Sequence, residues 1–248
     1  MRLTRLYVAE PLREGALVEL PKDTAAHVAK VLRAHAGDPV SLFNGDGQEL
    51  AGVIETVRGN RVSVQVGARL EVDAESPLAT TLIQCVPRGD RMDFIVQKAT
   101  ELGVHRIVPV LSKRSVVRLD GAQAAAKQAH WQAVAVSACE QSGRTRLPVV
   151  ETPVALLNHL GSLAPGGLRL VLDPYAQGEA AGLEAAAGAV DLAVGPEGGF
   201  EAAELEAFAL AGFRALKLGP RILRTETAAI AGLTYLQAIW GDLSASSC

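Results

Sequence analysis

Val190-Asp191-Leu192-Ala193-Val194 runs directly into Gly195-Pro196-Glu197-Gly198-Gly199-Phe200, and a helical pattern, Glu201–Leu210, follows. The first five residues read as a strand, because four are apolar, two of them β-branched, in a short run. Three glycines in the next five leave the backbone bare at the strand's carboxyl end. Glycine permits positive φ there and lets a ligand approach amides and carbonyls directly. A tight turn is the plain alternative. Against it stands Glu197, a carboxylate between proline and glycine with no evident packing role.

A second stretch repeats the arrangement. A strand at Ala215–Leu218 enters Gly219-Pro220-Arg221-Ile222-Leu223-Arg224, and Thr225-Glu226-Thr227 opens an apolar helix reaching Trp240. Thr225 is expected to cap that helix and Glu226 to complement its dipole. Ile222 and Leu223 can sandwich a flat base while Arg221 and Arg224 meet anionic groups. Upstream, further strands are expected at Thr80–Val86, Arg106–Val110 and Arg169–Leu172. Helices are expected at Arg91–Leu102 and Gln123–Glu140. Strand–helix alternation of this kind predicts an α/β domain with a parallel sheet, and such sheets bind ligands beyond their strands' carboxyl ends.

The texture before residue 72 differs. Arg5–Val8, Ala16–Leu20, Val40–Phe43, Glu49–Val57 and Arg61–Leu70 read as strands, with turns at Asn44–Gly47 and Arg58–Asn60 and one helix over 23–34 capped by Asp23. Short strands so spaced predict a small β-barrel over 1–72. The polar segment 73–76 before Pro77 is the linker, and 77–248 is the second domain.

The 248 residues contain no apolar run near the roughly 20 needed to span a bilayer, so no membrane association is expected. Charges at residues 2, 5, 10, 13 and 14 break up the N-terminus, which does not read as a signal peptide. Cys85, Cys139 and Cys248 form no CxxC, and the five histidines show no ligand spacing. No metal is therefore expected, and a reducing cytoplasm suits the chain. Phosphate-loop, dinucleotide, zinc-protease and hydrolase motifs are absent. Residues 77–150 carry ten basic and five acidic residues, although the whole chain has net charge −3. Such a basic segment is compatible with RNA.

Two polar clusters lie in that segment. Arg88-Gly89-Asp90-Arg91 opens a helix ended by Gly103, and Ser137–Arg146 closes another. Arg88, Arg91, Lys113, Arg114, Arg144 and Arg146 are candidates for phosphate contacts, which position RNA without reading its sequence. Cys139 has no paired base in the sequence and reads as a buried small residue.

RGDRMDFIVQKATELGV (88–104), ACEQSGR (138–144), GPEGG (195–199) and LGPRILRTETA (218–228), in this order, resemble the RsmE family of 16S rRNA uridine N3-methyltransferases, of the SPOUT superfamily. The resemblance implies an N-terminal PUA-like barrel that binds RNA, a C-terminal α/β domain tied in a trefoil knot, and a homodimer. It implies S-adenosylmethionine as cofactor, held by Leu172 and Pro174, by Gly195, Pro196, Glu197, Gly198 and Gly199, and by Leu218, Gly219, Ile222, Leu223, Arg224, Thr225, Thr227 and Ala228. The implied substrate is uridine 1498 of 16S rRNA in the assembled small ribosomal subunit. Attack by N3 requires loss of its proton. Arg221 or Arg224 would stabilise the anion, and Glu197 or Glu140 would take the proton. Glu201 stands where relatives often place a Ser or Thr cap, so a weaker start is expected for that helix. No contacts are inferred for 176–189. A knotted 2′-O-ribose methyltransferase and a non-catalytic RNA-binding assembly factor are the alternatives.

Overall fold

Five strands, β1 (Thr4–Tyr7), β2 (Leu17–Glu19), β3 (Pro39–Phe43), β4 (Glu49–Arg58) and β5 (Arg61–Leu70), form a sheet in the order β1-β3-β4-β5-β2. The structure is a computed structural model that describes residues 3–164, 166–177 and 188–243. Cys248 and most of 176–189 lie outside the described residues. Only β1 pairs parallel, with β3; the β4–β5 hairpin turns at Gly59, whose φ of +60° suits glycine. Alternation along the strands buries Leu6, Val40, Leu42, Ile54, Val62 and Val64 in one core. The helix expected over 23–34 is shorter. α1 (Lys22–Ala26) passes into a single π-helical turn, His27–Val31, and the chain leaves it through Arg33 at φ +51°. Pro21, not Asp23, is its N-cap, and the Pro21 carbonyl accepts the Ala25 N–H at 2.8 Å.

The chain divides into two compact units, Met1–Glu75 with Cys139–Leu147, and Ser76–Ala138 with Pro148–Cys248. Residues 139–147, expected within the second domain, thus join the first. Two ion pairs, one buried and one part-buried, explain why. The Arg5 guanidinium meets Glu49 at 2.8 Å and also donates to the carbonyls of Cys139 and Arg144. Arg144 meets Glu75 at 2.9 Å, and the other oxygen of Glu75 accepts the N–H groups of Thr145 and Arg146 at 2.8 Å each. With its side chain 3% exposed, Arg144 is an internal staple. This corrects its expected role as an RNA contact, because a buried guanidinium committed to a carboxylate is not offered to a phosphate.

In the second unit β6 (Ala79–Cys85), β7 (Arg106–Leu111), β8 (Val149–Val150), β10 (Leu168–Leu172), β11 (Ala189–Val194) and β12 (Arg214–Leu216) form a wholly parallel sheet, ordered β12-β10-β11-β6-β7-β8; β9 (Val154–Ala155) also pairs with β7. Helices α2 (Arg91–Glu101), α3 (Gly121–Ser142), α4 (Leu156–Ser162), α5 (Ala202–Leu210) and α6 (Thr225–Trp240) connect them. β8, β9 and α4 are too short for periodicity to reveal. One sheet face packs Ile83, Cys85, Val108 and Ala193 against Leu156 of α4 and Phe208 of α5. The opposite face carries α6, which crosses β11 and β6 and packs on α2. Gly232 makes that crossing close, since a Cβ there would stand 2.8 Å from Leu192 Cδ2. Because β12, β10 and β11 are neighbours, the loops leaving their carboxyl ends emerge side by side.

Candidate functional site

Those three loops enclose a cavity of about 570 Å³, within the usual range for small-molecule sites. Its wall includes Leu172–Tyr175, Val194–Phe200, Leu218, Gly219 and Arg221–Glu226, with Ala228, Arg91 and Arg114. The glycine loop is tight for steric reasons. A Cβ on Gly195 would approach the Phe200 ring at 3.2 Å, and Phe200 is fixed edge-on against Phe208. Gly199 has φ +69° and its N–H closes a turn onto the Pro196 carbonyl at 2.9 Å. Gly219, φ +71°, turns the second loop.

Thr225 is not the helix cap expected from the sequence. Arg224 occupies that position without a side-chain cap, and the buried Thr225 hydroxyl donates to the Gly195 carbonyl at 2.7 Å. The first turn of α6 is thereby tied to the root of the glycine loop. α5 starts firmly, contrary to expectation. Its N-cap Glu201 forms a capping box with Glu204, whose carboxylate accepts the Glu201 N–H at 2.9 Å and the Lys113 N–H at 2.8 Å.

Glu197 accepts the Arg88 N–H at 3.2 Å and an Arg91 guanidinium N–H at 2.5 Å. Burial pushes its pKa up, but its own N–H, that of Arg88 and the Arg91 guanidinium outweigh this, so the carboxyl sits below the usual range. A carboxylate so stabilised is a weak base. Arg91, expected to meet RNA phosphate, lies in the cavity wall, with Nε 3.9 Å from Glu226. Arg114 also lines the cavity and donates to the Gly198 carbonyl at 2.9 Å. The guanidinium groups of Arg221 and Arg224 are exposed and, among the described residues, have no hydrogen-bond or ion-pair partner. Beside them Ile222 is 71% exposed and Tyr175 78% exposed, an apolar rim at a cationic mouth.

Every residue expected to hold the cofactor lines this cavity except Thr227, which is exposed on α6. Of the four catalytic candidates, Arg221, Arg224 and Glu197 line it. Glu140 does not. It lies in the first unit, where it accepts the Tyr7 N–H at 3.0 Å. Burial raises its pKa, against that N–H, His27 and Arg5. Arg88, Lys113 and Arg146 are exposed, and Lys113 Nζ is 3.3 Å from Glu201. Cys139 is fully buried, and burial pushes its thiol up to about 11. Sequence reasoning missed Arg91, Tyr175 and Glu226 as wall residues, although Arg91 and Glu226 fall inside the motifs that carried the resemblance. Among the described residues no group of His, Cys, Asp or Glu is arranged to hold a metal ion, and no helix is long and apolar enough to cross a membrane.

Comparison with known proteins agrees with this geometry. Residues 74–237 match the RNA methyltransferase domain family, and residues 20–67 match the RNA methyltransferase PUA domain. The ribosomal RNA small subunit methyltransferase E of Buchnera aphidicola (subsp. Schizaphis graminum) is 32% identical over 98% of this chain and 99% of its own length. The Mycobacterium tuberculosis protein of the same name is 34% identical, over 94% of this chain and 92% of its own. The chain belongs to the ribosomal RNA small subunit methyltransferase E family. Solved structures of relatives include complexes with the cofactor. A Legionella pneumophila methyltransferase in complex with SAM is 39% identical, with TM-score 0.94, covering 98% of this chain and 100% of that one. A family member from Neisseria gonorrhoeae bound to S-adenosyl methionine is 37% identical, with TM-score 0.92 and the same coverage. The fold class is accordingly that of the RNA methyltransferase domain, preceded by a PUA-like N-terminal sheet.

Proposed function

We propose that this chain methylates N3 of a uridine in 16S rRNA, at the family's uridine 1498 site in the assembled small subunit, using S-adenosylmethionine, and that it works as a cytoplasmic homodimer. The observation that carries the reading is the convergence of three loops on one cavity whose mouth holds two guanidiniums without a partner among the described residues. The residues suit the cofactor. Leu172, Leu218, Ile222 and Leu223 give apolar walls for an adenine, and the glycine loop from Gly195 to Gly199 offers bare backbone to polar groups. When bound, S-adenosylmethionine supplies an electrophilic methyl group on a sulfonium.

The chain's own task is to bind, align and exclude water. Arg221 and Arg224 carry uncompensated positive charge where the uracil would enter, which favours the N3-deprotonated base by opposite-charge stabilisation. Glu197 is better suited to clamping Arg91 and the 88–91 turn than to accepting a proton, since its pKa is lowered. The proton from N3 then leaves to solvent. Entry of the base needs only its unstacking, which single-stranded RNA allows cheaply.

Incubating unmodified small subunits with methyl-labelled donor, then mapping the product nucleoside by mass spectrometry, tests the reading. N3-methyluridine at one site is expected. A methylated ribose would replace it with a ribose methyltransferase, and no product together with no donor binding would replace it with a non-catalytic assembly factor.

A further inference from the structure

Gln84 is outside the cavity wall, yet it directly reaches one of the loops that form it, and a second through Thr225. It is fully buried on β6, on the strand face that carries α6. Its Nε2 donates to the Cys85 carbonyl and to Thr225 Oγ1, both at 2.9 Å. Turning the amide over would set Oε1 against the Cys85 carbonyl, two acceptors face to face, so the nitrogen must lie on that side. Because Thr225 Oγ1 accepts from Gln84, its single proton is committed to the Gly195 carbonyl, 2.7 Å away. The chain of donors therefore runs one way, from β6 through the first turn of α6 to the end of β11. Its last member is a glycine, the residue least able to hold its own backbone conformation.

We infer that Gln84 is a positioning residue, which fixes Gly195 and Thr225 relative to each other so that the cavity is formed before the methyl donor arrives. The inference rests on the methyltransferase reading above. Preformed sites bind more tightly because less ordering is left to the binding event. Gln84→Met keeps the length and apolar volume of the side chain while removing both donors. Thr225→Val removes the relay hydroxyl at constant shape. A control stands on the same strand face. Thr80 is equally buried, and its hydroxyl has no partner among the described residues.

Two readouts are needed, calorimetric affinity for S-adenosylmethionine and, without any donor, hydrogen exchange of the amides of residues 197–200 and 225–228. Gln84→Met is expected to weaken donor binding by about tenfold, the loss of its one hydrogen bond to a cavity loop, and to speed exchange in both segments. Thr80→Val is expected to do neither. Since Gln84 and Thr225 act in series, the Gln84→Met/Thr225→Val double variant should bind within about threefold of Thr225→Val alone. Wild-type affinity and exchange in Gln84→Met, multiplicative effects in the double variant, or an equal effect from Thr80→Val would each overturn the inference. If Gln84→Met does not fold, Thr225→Val carries the same test, and unchanged exchange at 197–200 would overturn it. A wild-type protein that does not bind the donor overturns the methyltransferase reading itself, a failure recognised separately because exchange is read without donor.

Discussion

Replacing Glu197 by Gln separates two roles for this carboxylate by magnitude. In the structure its Oε1 accepts the Arg88 N–H at 3.2 Å and the Arg91 guanidinium at 2.5 Å. The amide oxygen of glutamine keeps an acceptor for both, so the variant loses charge but not geometry. The Arg91 and Glu197 side chains are 41% and 36% exposed, so solvent screens the pair, and its loss should cost about 0–1 kcal/mol of stability. The folded carboxyl lies below its ordinary pKa, so whatever stability it contributes is present above the unfolded value and lost as pH falls through the folded one. Nothing therefore changes between about pH 6 and 9, well above both values. In single-turnover methyl transfer to unmodified small subunits across that range, Glu197→Gln should remain within about tenfold of wild type, with the same profile. Removing a general base typically costs about 10²–10⁴-fold. A loss of that size in the transfer rate, at unchanged donor affinity, would refute the clamp and restore Glu197 as the base.

Arg224→Ala removes an exposed guanidinium without a partner among the described residues, so unfolding free energy should shift by no more than about 0.5 kcal/mol. Its turnover should nevertheless fall by about 10²–10³-fold, as for loss of one preorganised charge donor; full activity would remove Arg224 from the mechanism. Glu75→Ala removes the carboxylate that meets the buried Arg144 and accepts the Thr145 and Arg146 N–H groups, and urea titration should show a loss of about 3–5 kcal/mol. Gly232→Ala drives a methyl to 2.8 Å from Leu192 Cδ2 in a close-packed layer, costing about 1–3 kcal/mol in the same assay. Cys139, whose thiol is pushed up to about 11, should resist alkylation in the native protein at about pH 8, and Cys139→Ala should stay active.

The loops Gly195–Gly199 and Leu218–Ala228 were legible in the sequence because glycine and proline at a strand's end leave a local mark, as do alternating strands and helices. So were the basic texture of 77–150 and the two-part organisation. What stayed hidden is long-range by nature. No periodicity tells that Cys139–Leu147 is stapled to the first unit through Arg5, Glu49, Glu75 and Arg144, since those pairings span up to 139 residues. Nor does it tell that Arg144 is buried while Arg224 is exposed, because composition is blind to which guanidinium meets a carboxylate. Thr225 shows the difference most sharply. The sequence offered it as a local cap, the default for a threonine before an apolar helix. Only the arrangement of β6, β11 and α6 turned its hydroxyl to the Gly195 carbonyl, because the neighbouring strands bring both within hydrogen-bonding reach.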